Sequence, residues 1–311
     1  MDLKLKNNTN LEAKKVFSKI GLATAITIIT VNVLQILMYK VLGAIAPEVI
    51  SKSWFTYITI AVSFYLIGFP LFHLLVKNIP NGQKKESKNL SIFELIKFIL
   101  ITYAVMYIVN LFTIIVINII GLISGNSMTN PLNSVILPNS WIWNLVFAGI
   151  LSPIIEELMF RGIMLNKLRC YGDKIAIITT ALLFGLFHGN FHQFFYATAL
   201  GLVFAYVALK TGTIKYSIIL HITINILGGV VPSILLSFGD NILPTAIFGL
   251  GVIVMVIVGT VLFIKSIKKI NILPGDISLE KGHVLKTTCL NLGMILNLGI
   301  CLFLMIYILM V

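Results

Sequence analysis

The stretch Ser152-Pro153-Ile154-Ile155-Glu156-Glu157-Leu158-Met159-Phe160-Arg161-Gly162 places two adjacent carboxylates and an arginine inside a run otherwise apolar enough to cross a bilayer. A membrane-spanning helix needs about 20 mostly apolar residues, and the run from Trp141 to Lys167 supplies them. An ionisable side chain at bilayer depth costs at least ~2.5 kcal/mol. Three of them within one short segment require partners on neighbouring helices. The fold class follows from this run, and the chemistry follows from whatever can face it.

Outward from that segment, the rest of the chain has the same character. Of 311 residues, 58% are hydrophobic and only 11% charged, against about 25% charged in soluble domains. The chain therefore reads as an integral membrane protein. Nine candidate spans stand out: Ile20–Tyr39, Phe55–Val76, Lys97–Ile120, Trp141–Lys167, Ile175–His188, His192–Leu209, Ser217–Ser237, Pro244–Ile264 and Cys289–Val311. The fifth is short and ends at Gly189 and Asn190. The expected fold is an all-α polytopic membrane helix bundle of about eight to nine transmembrane helices. Its expected parts are a basic arm (1–19), N-terminal helices (20–124), a helix core (141–237) and C-terminal helices (244–311).

The net charge of +12 does not indicate a nucleic-acid partner, because the lysines lie in alternate short loops. Lys4 to Lys19, Lys77 to Lys88, Lys167 to Lys174, Lys210 with Lys215, and Lys265 to Lys286 fall on one side, and the intervening loops hold almost no Lys or Arg. The positive-inside rule then puts the N-terminus in the cytoplasm and, with nine passes, the C-terminus outside. Trp141 and Trp143 mark the outer interface of the fourth span, and Pro138 ends the loop before it. No cleavable signal peptide is expected. Cys170, Cys289 and Cys301 show no paired spacing, so no disulfide or Cys-based metal site is expected.

Of eleven acids, only Glu156 and Glu157 lie inside a span. Glu157 and Arg161 are four apart and share a helix face, while Glu156 is turned about 100° away. Phe184 and His188 form a second four-apart pair, and His221 and Asn225 a third. Depth tests whether these groups can meet. If the fourth helix ended at Arg161, Glu156 would lie only ~8 Å from the inner surface; if it runs on to Lys167 or Arg169, Glu156 lies ~17–20 Å in, level with His188. His221, ~9 Å from Lys215, needs tilt to join them.

Such a constellation suits hydrolysis. A carboxylate can act as general base toward water, an imidazole can orient that water, and an Asn amide with a second His can stabilise an oxyanion. Glu156, His188 and His221 could instead hold a divalent ion such as zinc, with water as fourth ligand. No His-Glu-x-x-His zinc helix and no Gly-x-Ser-x-Gly nucleophile motif occurs.

With these residues the chain resembles the CAAX-protease and bacteriocin-processing (CPBP, or Abi) intramembrane proteases. Glu156-Glu157-Leu158-Met159-Phe160-Arg161 is similar to the family's Glu-Glu-x-x-x-Arg. Phe184-Gly185-Leu186-Phe187-His188 is similar to its Phe-x-x-x-His, and His221-Ile222-Thr223-Ile224-Asn225 to its His-x-x-x-Asn. The resemblance covers roughly residues 141–237. It implies an intramembrane endopeptidase of the metalloprotease-labelled CAAX type, in which Glu156 activates water, His188 assists, and His221 with Asn225 stabilises the oxyanion. Glu157, Arg161 and Phe184 would support them. The expected partners are a membrane-associated peptide or protein substrate, such as a bacteriocin or pheromone precursor, and the lipid bilayer of a bacterial cytoplasmic membrane. The competing expectation is a catalytically silent membrane scaffold or bacteriocin-immunity protein of the same fold. A proton-relaying transporter ranks below both, since no inverted repeat is visible.

Overall fold

The computed structural model describes residues 3–83, 86–125, 141–239 and 241–310. Pro138 and most of its loop fall outside them. Among the described residues there is no strand; the protein is an integral membrane helix bundle. Nine long helices build it: α1 (Leu3–Ile45), α2 (Ser53–Val76), α3 (Ile92–Ser124), α4 (Trp141–Tyr171), α5 (Asp173–Phe187), α6 (Phe191–Thr211), α7 (Lys215–Leu236), α8 (Ile242–Ile267) and α9 (Leu292–Met310). Eight of them are long and apolar enough to cross a bilayer. The exception is α5, whose 15 residues span only ~22 Å against a hydrocarbon core of ~30 Å.

One boundary differs from the sequence reading and another agrees with it. Residues 3–19, expected as a separate arm, are the first turns of α1. The Lys-rich composition concealed a buried stripe in which Ala13 and Phe17 enter the main core. The fourth helix does run past Arg161, to Tyr171, so the Glu-Glu-x-x-x-Arg segment is immersed. It is not a uniform α-helix. Wide π turns over Asn144–Leu151 and Leu158–Leu165 flank an α-helical Ser152–Glu157, and such turns recur at functional sites.

Local chemistry explains where the helices start and stop. Ser91 and Glu94 form a reciprocal cap at the start of α3, and Asn190 accepts from the Gln193 N–H at the start of α6. Gly212, with φ of 68°, closes α6 in the left-handed region that side chains with a Cβ disfavour. The bundle core joins α1, α2, α4, α5 and α6 around Phe17, Phe72, Phe160 and Phe184. A second cluster joins α3, α6 and α7 around Tyr103, Phe204 and Leu220. Where α5 crosses α6, Gly201 lies so close to Ala181 that an added Cβ would be 2.9 Å from its Cα. Small residues at such crossings let membrane helices approach through their backbones.

Residues 77–83 and 86–91 lie against the basic end of the bundle. Lys167 Nζ donates to Ile79 O at 2.6 Å, the Gly82 N–H to Asn166 O, and the Lys88 N–H to Thr211 O. Leu90 N–H donates to the Tyr216 hydroxyl at 2.9 Å. These bonds tie this strap to the ends of α4 and α6 and to Tyr216 at the start of α7.

Candidate active site

Glu157 and Arg161 have fully buried side chains and pair at 2.8 Å, Arg161 Nη1 donating to Oε1. Arg161 Nη2 donates to Gly201 O at 3.1 Å, so the tight α5–α6 crossing also supplies the arginine's second acceptor. Three aromatic rings enclose the guanidinium, with its carbon 4.5 Å from the Phe184 centroid, 5.3 Å from that of Phe204 and 5.9 Å from that of Phe160. Cation–π contacts of this kind gain strength when desolvated.

His221 lies on the other side of Glu157. Its Nδ1 is 3.1 Å from Glu157 Oε1. A carboxylate held by an arginine is an acceptor only, so Nδ1 carries the proton and Nε2 is left to face Glu156 Oε2 at 3.8 Å. Phe204 stacks on the imidazole with centroids 4.9 Å apart, and Phe184 meets it edge-on at 5.6 Å. The ring is thus fixed in plane and orientation by one carboxylate and two aromatic walls.

His188 is the last residue of the α5 turn system. Its Nδ1 lies 2.9 Å from Phe184 O. A carbonyl can only accept, so the Nδ1 proton is committed there and Nε2 keeps its lone pair. The residues after it hold the turn: Gly189 has φ of 63°, and Asn190 Nδ2 donates to His188 O at 2.9 Å. Glu156, His221 and Arg161 all lie within electrostatic reach of His188. Phe184 packs edge-on against His188 at 5.0 Å, so this single ring touches both histidines and the arginine.

The structure therefore brings Glu156, Glu157, Arg161, Phe184, His188 and His221 together. Asn225 lies one turn along α7 from His221, and its Nδ2 donates to Ala148 O on α4 at 2.8 Å. One amide proton is thereby occupied, which ties α7 to α4, and the second is left for another acceptor. Depth accounts for the meeting. Glu156 is fifteen residues from the Tyr171 end of α4 and His188 fifteen from the Asp173 start of α5, so both lie ~20 Å from the basic end. His221 joins them through its 3.1 Å contact with Glu157.

Several contributors were not foreseen. Tyr65 on α2 is hydrogen-bonded to Ser152, one turn before Glu156, and lies within electrostatic reach of Glu156. Tyr196 on α6 lies within the same reach. Phe204 looks like any core aromatic in sequence. The Glu157–His221 bond was also missed, since it depends on the register between α4 and α7, which spacing within either helix does not specify.

The fit of a metal at Glu156, His188 and His221 was tested on the donors. Among the described residues no group of three His, Cys, Asp or Glu side chains is arranged to hold an ion. Glu157 holds His221 through Nδ1, and Phe184 O holds His188 through Nδ1, which leaves both Nε2 atoms free, as in metal-ligating imidazoles.

Comparison with known proteins bears on the same segment. Residues 138–227 match the family described as type II CAAX prenyl endopeptidase Rce1-like. This agrees with the resemblance read from the three motifs, all of which lie inside the matched range, and the family implies a protease of the CAAX intramembrane type. No curated protein and no solved structure matches the chain.

Proposed function

We propose that the chain, whose residues 138–227 carry the CAAX-type protease segment, hydrolyses a peptide bond of a membrane-associated peptide or protein. The observation that carries this reading is the buried Arg161–Glu157–His221 chain ending 3.8 Å short of Glu156. A gap of that length between a carboxylate and an imidazole suits a bridging water.

In the proposed reaction Glu156 takes a proton from this water, and the oxygen attacks the scissile carbonyl carbon. His188, with its Nε2 lone pair free, helps orient the water. The developing oxyanion is met by the remaining Asn225 amide proton and, with His221 protonated on both ring nitrogens, by its Nε2–H, the Nδ1–H staying on Glu157. Protonated Glu156 then gives its proton to the leaving amide nitrogen as the C–N bond breaks. Glu157 and Arg161 are positioning residues, because they hold His221 and need not touch substrate. The lysine distribution supports an orientation with the Lys-rich helix ends in the cytoplasm.

The test uses the purified full chain in detergent with a fluorogenic peptide. Glu156→Gln, His188→Ala and His221→Ala are each expected to lower turnover by ~10²–10⁴-fold while eluting and melting as the wild type does. Undiminished cleavage by all three folded variants overturns the reading.

A further inference from the structure

A cleft of about 870 Å³ opens on the opposite side of α5 from the candidate active site. Ile178, Leu182 and Leu186 line it, roughly half a helical turn away from Phe184 and His188. The segment 273–279 and the start of α9 form its other wall. Three features give the cleft a direction. Its lining is mostly apolar. Two exposed lysines, Lys174 and Lys281, line it at the basic end, and among the described residues neither takes part in a salt bridge. The wall also contains Asn297, a fully buried side chain whose Nδ2 and Oδ1 both lack a hydrogen-bond partner.

Asp173, Asp276 and Glu280 lie at the same end, but none of them lines the cleft. Asp173 accepts from the Leu273 N–H at 3.2 Å, and Glu280 is paired with His283 at 3.1 Å. Asp276 lies within reach of Cys170. From Lys174 to Leu186 the α5 wall runs ~18 Å, slightly more than half the ~30 Å hydrocarbon core. A groove with cations at the membrane surface and an apolar wall one leaflet deep has the dimensions and polarity of a lipid. The unpartnered Nδ2 of that carboxamide calls for an acceptor, which an ester carbonyl provides.

We propose that this cleft binds one anionic glycerophospholipid, its phosphate held by Lys174 and Lys281, its ester region toward Asn297 and an acyl chain along Ile178, Leu182 and Leu186. The lipid would buttress the outer face of α5, the helix that carries His188.

Native mass spectrometry of the full chain in mild detergent tests this, with dioleoyl phosphatidylglycerol and dioleoyl phosphatidylcholine titrated separately. The wild type is expected to retain phosphatidylglycerol preferentially. Lys174→Ala and Lys281→Ala should each reduce that preference by roughly fivefold, and the double variant should nearly abolish it. Lys268→Ala with Lys269→Ala, on the same end but outside the cleft, should leave it intact. Leu182→Trp should lower retention of both lipids, and Asn297→Leu should lower phosphatidylglycerol retention without lowering the melting temperature of lipid-free protein. Equal retention of the two lipids by the wild type, or a preference that survives in the double lysine variant, overturns the proposal. Both lysines are exposed, so the deciding variants keep the fold even if Leu182→Trp does not.

Discussion

At the residue scale the centre of the molecule is Arg161. It is fully buried and takes its acceptors from two helices, Glu157 on α4 and Gly201 O on α6. Removing one partner of a buried pair leaves the other charge uncompensated, at a cost of about 3–5 kcal/mol. Arg161→Ala is therefore expected to destabilise the protein by that order, read as a lower unfolding midpoint in detergent. Arg161→Lys keeps the charge but loses the planar fork that serves both acceptors, so it should recover only part of the midpoint. Full recovery would mean that charge alone matters and the Gly201 contact does not. The same residue network bears on the ion question. Glu156 acting on water as a carboxylate base needs no ion, although both histidines keep Nε2 free. Peptide cleavage is expected to persist after chelation and dialysis, checked by metal analysis of the same sample. Loss of cleavage on chelation, restored by added zinc, would replace the general-base scheme.

At the element scale, part of the site was legible in sequence. The four-apart pairs on α4, α5 and α7 follow from helical period, and the extension of α4 past Arg161 followed from requiring Glu156 to reach the depth of His188. What sequence withheld is the relation between helices. Tyr65 and Phe204 come from α2 and α6, and nothing in an aromatic residue's local context separates a wall of the site from ordinary core. The π turns on either side of Ser152–Glu157 are also silent in composition. The α5–α6 crossing shows how such relations are fixed. Gly185 faces Phe194 O and Thr198, and Gly201 faces Ala181, so two glycines set the spacing of the helix carrying His188. Gly201→Val should overpack this crossing, costing about 1–3 kcal/mol, and displace the Gly201 carbonyl from Arg161. The expected outcome is a lower unfolding midpoint together with reduced peptide cleavage, because the arginine and His188 shift with the crossing. An unchanged midpoint would show that α5 and α6 can separate without cost.

At the scale of the whole molecule, the short α5 decides how the chain is threaded. It is too short to cross alone, yet it joins α6 through the tight 188–190 turn and packs against it. Because α6 is long enough to span and ends at Lys210, beside the strap that also covers the end of α4, its start must lie toward the other face. The pair therefore forms a hairpin whose turn is sunk within the membrane, which is why His188 ends at the depth of Glu156 rather than at the outer surface. Among the described residues eight helices have spanning length, and the α5–α6 hairpin, which starts and ends at the basic end, leaves the parity of the other seven unchanged. The positive-inside rule predicts the lysine-rich ends of α1, α2, α4, α6 and α8 in the cytoplasm, and on that orientation the end of α9 is expected outside. Fusion of alkaline phosphatase after residue 310 is expected to be active, and fusion after Ile267, at the basic end of α8, inactive. A cytoplasmic C-terminus would mean that one of the other seven helices does not cross, because α5 and α6 start and end at the same basic end and leave the parity unchanged.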